Sequence, residues 1–445
     1  MPTYEEVPER IRAPHCDDGA ALSGHHRLKR GAGLLMRTRA TAAAVASKAT
    51  NPGAACAAQG AAPSRRLLIV GPLPPPLGGV QLTIDMQLRS SLAREFELHV
   101  VDTSKRQLRW AVENPTWKTP FYFARDFLRL VRALVRLRPD AVLVHAAPSI
   151  SLLRDWVIMV TARIAGAKVI CHYHGTLHTR FPSGHTRSGR AIGRLLMSAA
   201  HRVIVLGPSY QREMAKAWKR DDLVWAPNMA DVALYRSVSA DACAPWLASG
   251  DRAVLFVGRL SAPKGIYDLF DAIPRVIERH PEAKFVLVGV AESDAMEPAI
   301  RAEAGRRGIA ARIAFLGALD GRDKAAAFAT SQMLVVPSWT EAFPLVIPEA
   351  MAAGLPVIAT AVGAIPDFVK DEEDGFLIAP GDWPALADRI CRLLDDGSLR
   401  RRIGERVRAR APSEFAIEVG CGKVGEVIKG VLAHVPGSKL TPGRQ

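Results

Sequence analysis

Long apolar runs and paired cysteines are both missing from this 445-residue chain. Because no run of about 18 uninterrupted apolar residues occurs, the sequence predicts no membrane-spanning helix. The six cysteines are scattered and none forms a C-x-x-C pair, which favours free thiols in a reducing cytosol over a disulfide framework. Hydrophobic residues nevertheless make up 49% of the chain, which excludes global disorder, and the length fits two or three domains.

Large apolar side chains are scarce in residues 1–64, which are rich in Ala, Arg and Gly. Arg37 and Arg39 precede an alanine-rich stretch at 41–50, as in a secretory signal peptide, but alanine is too weakly apolar to drive membrane insertion. We therefore expect residues 1–64 to be a disordered extension, or translation to begin near Met36.

The formal net charge of +15 is unevenly distributed along the chain. Residues 66–235 carry 24 Lys and Arg against 12 Asp and Glu, whereas residues 236–404 carry 19 against 23. A basic first half followed by a slightly acidic second half predicts that the first half meets an anionic surface. No aromatic–basic RNA motif accompanies this charge, so nucleic acid is not expected as a partner.

Short apolar runs alternate with helical patterns in two blocks, separated by a break near 230–250. This alternation predicts parallel sheets covered by helices on both faces, and hence an α/β fold with two Rossmann-like, doubly wound domains. Ligands bind at the carboxyl ends of such strands, which places them in a central cleft between the two domains. The strand-like runs lie at 67–70, 97–102, 141–146, 168–174, 202–207, 253–258, 284–289, 312–317, 333–338 and 356–361.

The segment from Ser338 to Ile358, SWTEAFPLVIPEAMAAGLPVI, combines a strand end, a loop and a helix start. Its loop carries Glu341, and Glu349 follows eight residues later. Both carboxylates can point toward the cleft and accept hydrogen bonds from vicinal hydroxyls, although two solvated glutamates would give the same pattern. Free backbone amides over 343–346, at the helix start, suit sugar hydroxyls and phosphate oxygens.

A second segment, FVGRLSAPKG at 256–265, places two cations just after a predicted strand. Arg259 follows Gly258 directly, and Lys264 comes five residues later. Fixed cations at this edge of a sheet can neutralise the charge that develops on a departing diphosphate. An ordinary basic turn is the alternative explanation.

The Glu-x7-Glu segment, the GR-x4-KG segment and the bilobed pattern resemble the large retaining glycosyltransferase family 4, which has the GT-B fold. The resemblance covers roughly residues 66–430. Within the family, it is to the bacterial members that act in surface-polysaccharide synthesis. Smaller matching pieces are Gly78-Gly79, His174-Gly175, Pro227-Asn228, Gly363 and Gly375.

The resemblance implies a role for each matching residue. Arg259 and Lys264 would hold the donor diphosphate, Glu349 the ribose, and Glu341 the transferred sugar. Glycine at 78 and 79 would let the backbone approach the phosphates closely, where a side chain would clash. The implied catalytic residues are His174, Arg259, Lys264 and Glu341; the implied donor-binding residues are Gly78, Gly79, Gly258, Arg259, Lys264, Glu341, Phe343, Pro344, Leu345 and Glu349.

The resemblance also implies the domain order. Residues 65–235 would bind the acceptor and residues 236–408 the nucleotide-sugar, and a helix within 409–445 would return toward the first domain before a tail. Three departures concern packing between domains: Met229-Ala230 stands where Gly-Val is usual, Ala364 replaces the second glycine of a Gly-Gly pair, and the C-terminal helix is rich in glycine.

Histidines cluster at 172–174, with His178 and His185 nearby. No cysteine or paired carboxylate stands at metal-ligand spacing from these histidines. The sequence also lacks a D-x-D triplet, which binds the divalent metal in glycosyltransferases of the other major fold. We therefore expect neither a metal nor another cofactor. His172 and His174 share one face of a strand, where either could be structural, and only the resemblance favours His174.

The residue spacing near 125–136 predicts an amphipathic helix, with one stripe of arginines and an opposite apolar face. It could pack on the core or dock on a bilayer. A second basic segment follows His174, and anionic lipid attracts such residues by about 1 kcal/mol each. The stripe is Arg125, Arg129, Arg132 and Arg136 opposite Phe127, Leu130, Val131 and Leu134; the second segment holds Arg180, Arg187, Arg190 and Arg194 beside Phe181, Ile192 and Leu195.

The expected function is a retaining transferase in the cytoplasm, peripherally attached to the anionic inner membrane, that moves a sugar from a nucleotide-sugar to a lipid-linked saccharide in surface-polysaccharide synthesis. Three alternatives remain open at this point: a transferase with a soluble acceptor, a nucleotide-sugar epimerase, and a nucleotide-sugar-binding module without turnover.

Overall fold

The computed structural model describes residues 65–75, 78–104, 119–148, 151–176, 186–239, 244–293 and 296–433. The predicted extension, residues 1–64, lies outside this described part. Two parallel sheets of six strands each account for the fold, one in each half of the chain.

The first sheet has the strand order β2-β1-β3-β4-β5-β6. Its inner strands are buried on both faces, which explains their continuous apolar runs. The strands are β1 (Arg66–Gly71), β2 (Glu97–Asp102), β3 (Ala141–Ala146), β4 (Lys168–Tyr173), β5 (Arg202–Val205) and β6 (Leu223–Trp225), and the helices are α1 (Gly79–Leu88), α2 (Leu92–Glu95), α3 (Thr119–Leu137), α4 (Ser151–Ile164), α5 (Arg187–Met197) and α6 (Pro208–Trp218).

The second sheet has the order β12-β11-β10-β7-β8-β9, and all its described pairings are parallel. Its strands are β7 (Arg252–Val257), β8 (Ala283–Val288), β9 (Ile313–Gly317), β10 (Met333–Val336), β11 (Val357–Thr360) and β12 (Gly375–Ile378). The helices are α7 (Val232–Ser237), α8 (Ile266–Arg279), α9 (Met296–Arg306), α10 (Gly321–Ala329), α11 (Val346–Ala353), α12 (Ile365–Phe368), α13 (Trp383–Asp395), α14 (Gly397–Phe415) and α15 (Ile417–Ala433).

The predicted fold class, α/β with two Rossmann-like domains, is confirmed. All ten strand-like runs of the sequence are strands. The pattern missed β6, which has only three residues, and β12, which begins at Gly375 directly after a run of four acidic residues. Neither offers a clear apolar run flanked by helical patterns.

Two of the domain boundaries expected from the sequence fall inside helices. The boundary at 235/236 lies within α7, which packs against α10 and α11 of the second half. The boundary at 408/409 lies within α14, which continues through Pro412 to Phe415 and packs against α11. Packing against helices of the second half, rather than the break in the apolar pattern, determines where these elements belong.

The chain crosses back at Ala416, which forms an isolated parallel bridge with Ala230. From there α15 packs against α1, α2 and the first sheet. Its glycines permit this contact: a Cβ on Gly425 would lie 3.2 Å from the Leu92 side chain, and one on Gly420 would lie 3.0 Å from that of Met229. The glycine-rich helix therefore packs closely on the first half.

Cys171, Cys391 and Cys421 are buried free thiols. Burial raises the pKa of the Cys421 thiol to about 12, so the group is inert at neutral pH. Among the described residues, no helix combines the length and the apolar character that crossing a bilayer would require.

Candidate functional site

Lys264 and Glu341 meet at the carboxyl edge of the second sheet. Lys264 Nζ donates to Glu341 Oε1 at 2.5 Å, and Ser338 Oγ donates to the same oxygen at 3.1 Å. The Glu341 side chain is 11% exposed and that of Lys264 is 32% exposed, so water can still reach the cation. The structure thus brings together two site residues that are 77 positions apart in the sequence.

Glycine at position 265 makes this meeting possible. Its φ is +73°, and a Cβ there would lie 1.9 Å from the Pro337 carbonyl oxygen. Only a residue without a side chain permits the turn to come so close to the end of β10. The short 3-10 turn at 262–264 therefore presents Lys264 directly over the Glu341 loop.

Arg259 lies on the more exposed rim of the same edge. Its side chain is 42% exposed, and Nη1 is 3.3 Å from Glu292 Oε1. Gly258 precedes it, with its backbone in close contact with Gly289, where a Cβ would lie 1.8 Å from the Gly258 carbonyl oxygen. An exposed ion pair of this kind stabilises little, so Arg259 can exchange Glu292 for another anion.

Glu349 has a partner that sequence reasoning missed. Lys324 Nζ donates to Glu349 Oε1 at 2.7 Å, and the two side chains are 13% and 9% exposed. Within the described part of the chain, the other oxygen, Oε2, is buried and has no partner at normal hydrogen-bond distance. The Tyr235 hydroxyl lies near this carboxylate: burial and the Glu349 charge together raise the pKa of Tyr235. No sequence motif links these residues, because Lys324 comes from α10 and Glu349 from the first turn of α11.

The loop between the two glutamates is held by the first half of the chain. Tyr210 donates its hydroxyl to the Glu341 carbonyl at 2.9 Å, and Asn228 Nδ2 donates to the Phe343 carbonyl at 2.5 Å. Gly363 lies against this loop with a φ of +62°, where a Cβ would lie 2.1 Å from the Glu341 carbonyl oxygen. Phe343 itself is buried.

One expected role in this loop is wrong. Pro344 has no backbone N–H and therefore cannot act as an amide donor, although its carbonyl accepts from Ile347 at 3.2 Å. The first N–H groups of a helix have no intrahelical partner, and α11 begins at Val346. Of the amides expected to donate toward the cleft, those of Phe343, Leu345 and Val346 remain.

Gly78 and Gly79 face this helix start from the first half. Gly78 is the extended residue before α1, and Gly79 is the first residue of that helix. A Cβ on Gly79 would lie 3.8 Å from Leu345 Cδ1. Leu345 in turn packs within the apolar cluster of the first half. The N-termini of α1 and α11 thus lie side by side.

His174 lies just beyond β4, in a group of three imidazoles. Its Nε2 is 2.9 Å from Nδ1 of His145, and its ring centroid is 4.3 Å from that of His172. Burial lowers the pKa of all three, to about 4 for His172, so they are neutral at physiological pH. The sequence interpretation missed His145; its position one residue before the end of β3 was the available signal.

The arginine stripe of α3 differs from the expectation. Arg125 donates to Asp126 at 2.8 Å and to the Ser104 carbonyl at 3.2 Å, so it is not a free surface cation. Arg129, Arg132 and Arg136 are exposed. On the apolar side, Leu130 and Leu134 are buried, while Phe127 and Val131 are half-buried.

A second apolar row on α3 faces solvent beside these arginines. It consists of Phe121, Leu128 and Val135, which are 72%, 68% and 69% exposed and spaced by seven residues. Leu153 and Ile164 on α4 and Ile192 and Leu195 on α5 are also exposed. Helix α5 carries the exposed Arg187 and Arg194 as well. Arg180 and Phe181 lie outside the described residues.

Two family models match the chain, one in each half. The model described as Glycosyltransferase Family 4 matches residues 77–234, and that described as Glycosyl transferases group 1 matches residues 251–396. The chain belongs to glycosyltransferase family 4. The resemblance to family 4 that the motifs indicated is therefore confirmed.

Curated relatives of this family-4 chain include phosphatidyl-myo-inositol mannosyltransferase of Mycobacterium leprae. The two are 32% identical over 262 residues, which is 58% of this chain and 64% of the relative. The counterpart from Mycobacterium tuberculosis is matched over 53% of its length, so the chain spans between half and two thirds of these relatives.

Solved structures support the GT-B arrangement of the two sheets. Sucrose-phosphate synthase from Thermosynechococcus elongatus superimposes with a TM-score of 0.70 at 23% identity, covering 83% of this chain and 100% of that one. Anabaena HepE in complex with UDP and glucose has a TM-score of 0.66 at 20% identity, covering 82% and 99%. At these identities the likeness concerns the fold alone.

Proposed function

We propose that this family-4 chain transfers a sugar from a nucleotide-diphosphate sugar to a lipid-linked saccharide, with retention of anomeric configuration. The observation that carries the proposal is the Lys264–Glu341 pair at the carboxyl edge of the second sheet, with Arg259 on the rim. Cations suited to a diphosphate and a carboxylate suited to sugar hydroxyls lie at one place, beside the N-termini of α1 and α11.

In the proposed reaction the diphosphate leaves with its charge balanced by Lys264, Arg259 and the N-terminal dipole of α11. Glu341 orients the sugar, and Glu349 accepts from the ribose. His174, a neutral imidazole, lies at the reacting face. The acceptor hydroxyl attacks from the side that the diphosphate leaves, which gives retention without a protein nucleophile, unlike the double displacement of retaining hydrolases.

The lipid-linked acceptor is supported by the surface of the first half. Exposed apolar side chains stand beside arginines on α3 and α5, as in elements that lie in a membrane interface. The name of the mycobacterial mannosyltransferase includes a phosphatidyl-inositol, a lipid. We accordingly propose peripheral attachment to the anionic inner membrane and a role in exopolysaccharide, capsule or O-antigen synthesis.

A donor screen tests the proposal. Purified full chain is offered UDP-, GDP- and ADP-sugars with a lipid-linked saccharide extract, and release of nucleoside diphosphate is measured. We expect release with one donor class only, dependent on the extract, and proton coupling constants of the product that match the donor's anomeric configuration. Conversion of the donor without any acceptor would instead identify an epimerase, and acceptor-independent binding alone a module without turnover.

A further inference from the structure

Three histidines converge at the carboxyl edge of the first sheet, outside the residues proposed to hold the diphosphate. His145 and His172 are register partners on the neighbouring parallel strands β3 and β4. His174 follows two residues after His172 and points to the same side. One nitrogen from each ring lies within 4.8 Å of the corresponding nitrogens of the other two.

His172 is the member that hydrogen bonding does not explain. It is 1% exposed, and within the described part of the chain neither Nδ1 nor Nε2 has a hydrogen-bond partner. Leaving a buried polar group unpaired costs about 1–3 kcal/mol. A ligand shared with the neighbouring imidazoles would satisfy one of its nitrogens.

His145 is held in the orientation that a metal-binding histidine needs. Its Nε2 is 3.0 Å from Gln87 Oε1; in the tautomer that donates to this oxygen, Nδ1 presents its lone pair to the cluster. Histidines that ligate metals usually donate their second N–H to an oxygen in this way, which fixes the tautomer.

The spacing fits a small metal ion after modest adjustment. His145 Nδ1 and His174 Nε2 are 2.9 Å apart. Tetrahedral coordination with metal–nitrogen bonds of about 2.0–2.1 Å requires nitrogens about 3.4 Å apart, which ring shifts of about 1 Å would provide. Three neutral imidazoles without a carboxylate suit Zn²⁺, Co²⁺, Ni²⁺ or Cu²⁺ and not Mg²⁺ or Ca²⁺.

We propose that His145, His172 and His174 together bind one divalent transition-metal ion of the class that includes Zn²⁺ and Co²⁺. The site lies apart from Lys264 and Arg259, which are proposed to hold the donor diphosphate, but it shares His174 with the reacting face of the proposed function. Metal binding is therefore measured by itself, separately from transfer.

Metal titration of the full chain tests this site. Protein dialysed against chelator is titrated with Zn²⁺ in competition with a chromophoric chelator, and separately with Co²⁺, whose visible absorption is intense in tetrahedral sites. The variants are His172→Phe, which keeps a ring and removes both nitrogens, and His145→Gln. His99→Gln is the matched control, since His99 lies on the surface beside Glu97.

We expect wild-type protein and His99→Gln to bind one more equivalent of Zn²⁺ than either cluster variant. The tetrahedral Co²⁺ spectrum should be present in wild-type protein and His99→Gln, and weaker in His172→Phe and His145→Gln. Zn²⁺ should also raise the Tm of wild-type protein more than that of His172→Phe, because ligand binding stabilises the folded state. Circular dichroism checks that each variant is folded, and having two variants guards against one that is not.

Equal Zn²⁺ stoichiometry and equal Co²⁺ spectra in wild-type protein and a folded cluster variant would overturn the proposal. The 2.9 Å contact between His145 and His174 would then be a plain hydrogen bond.

Discussion

Lys264 is the residue on which the proposed transfer depends most directly. It stands on a turn that only glycine at position 265 permits, and it is already oriented by Glu341. A preorganised cation at the position where charge develops is worth far more than one that must first be ordered.

Replacing Lys264 by Ala should lower turnover by about 10²–10³-fold, the cost of removing one preorganised charge-stabilising group. Arg259→Ala should act in the same direction. The measurement is nucleoside diphosphate release at saturating donor, with circular dichroism to verify the fold. Lys284→Ala is the control, because Lys284 donates to the Ala311 carbonyl away from the site. Near wild-type transfer by either site variant would refute the diphosphate assignment.

Lys324 should matter for stability as well as for the donor. Lys324→Met leaves the Glu349 carboxylate buried without its cation, and breaking a buried pair costs about 3–5 kcal/mol. The double variant Lys324→Met/Glu349→Gln removes both charges and should recover most of the loss. Urea unfolding followed by circular dichroism measures both. If the single variant loses under about 1 kcal/mol, the pair behaves as a surface ion pair.

At the scale of elements, helices α3 and α5 present a surface that their core packing does not use. Phe121, Leu128 and Val135 on α3 are largely exposed, and Arg187 and Arg194 on α5 are exposed and form no ion pair with another described residue. Apolar side chains would insert into the interface, while the cations would meet anionic headgroups.

The charged part of this surface should respond to salt. The variant Arg187→Gln/Arg190→Gln/Arg194→Gln should bind anionic vesicles at least about 30-fold more weakly, at about 1 kcal/mol for each of the exposed Arg187 and Arg194. Wild-type binding should weaken as salt rises, because exposed charges act over about 8 Å at physiological ionic strength. Co-sedimentation measures this, and donor binding should be unchanged. A matched control replaces three exposed arginines of the second half: Arg322, Arg401 and Arg402.

The apolar part of the surface should account for whatever binding persists at high salt. Replacing Phe121, Leu128 and Val135 together by Ser should remove it. If neither set of substitutions alters vesicle binding, or if unmodified protein ignores anionic vesicles at low salt, the membrane assignment fails and a soluble acceptor takes its place.

At the scale of the whole molecule, the two halves are tied together beside the donor site. Tyr210 and Asn228 hold the glutamate loop from one side, Ser209 donates to Asp367 at 2.5 Å, and α15 returns to the first half. The cleft is thus built from both domains, and movement between them would change the proposed donor site directly.

Transfer should not require a divalent metal, because the proposed diphosphate site uses Lys264, Arg259 and helix N-termini. Assays in EDTA, with and without added Mg²⁺, should give equal rates. Complete loss of transfer in EDTA that added metal reverses would contradict this, and metal analysis of His172→Phe would then show whether the histidine cluster is responsible.

Much of this protein follows from local sequence. Short apolar runs, alternating with helical patterns, predicted ten of the twelve strands, because strands buried on both faces of a parallel sheet are continuously apolar. Motif spacing identified Lys264, Glu341 and Glu349 as candidate site residues, because a strand end, a tight turn and a helix start each have a characteristic sequence pattern. The short strands β6 and β12 and the exact helix ends lacked such signals.

The tertiary structure alone decided which residues meet. Lys324 pairs with Glu349, and His145 joins His172 and His174, through strand order and helix packing that no local pattern records. The second apolar row of α3 is likewise exposed only because the core takes the opposite face. Local sequence determines the elements through short-range backbone preferences and burial, whereas contacts between distant residues depend on how complete elements pack.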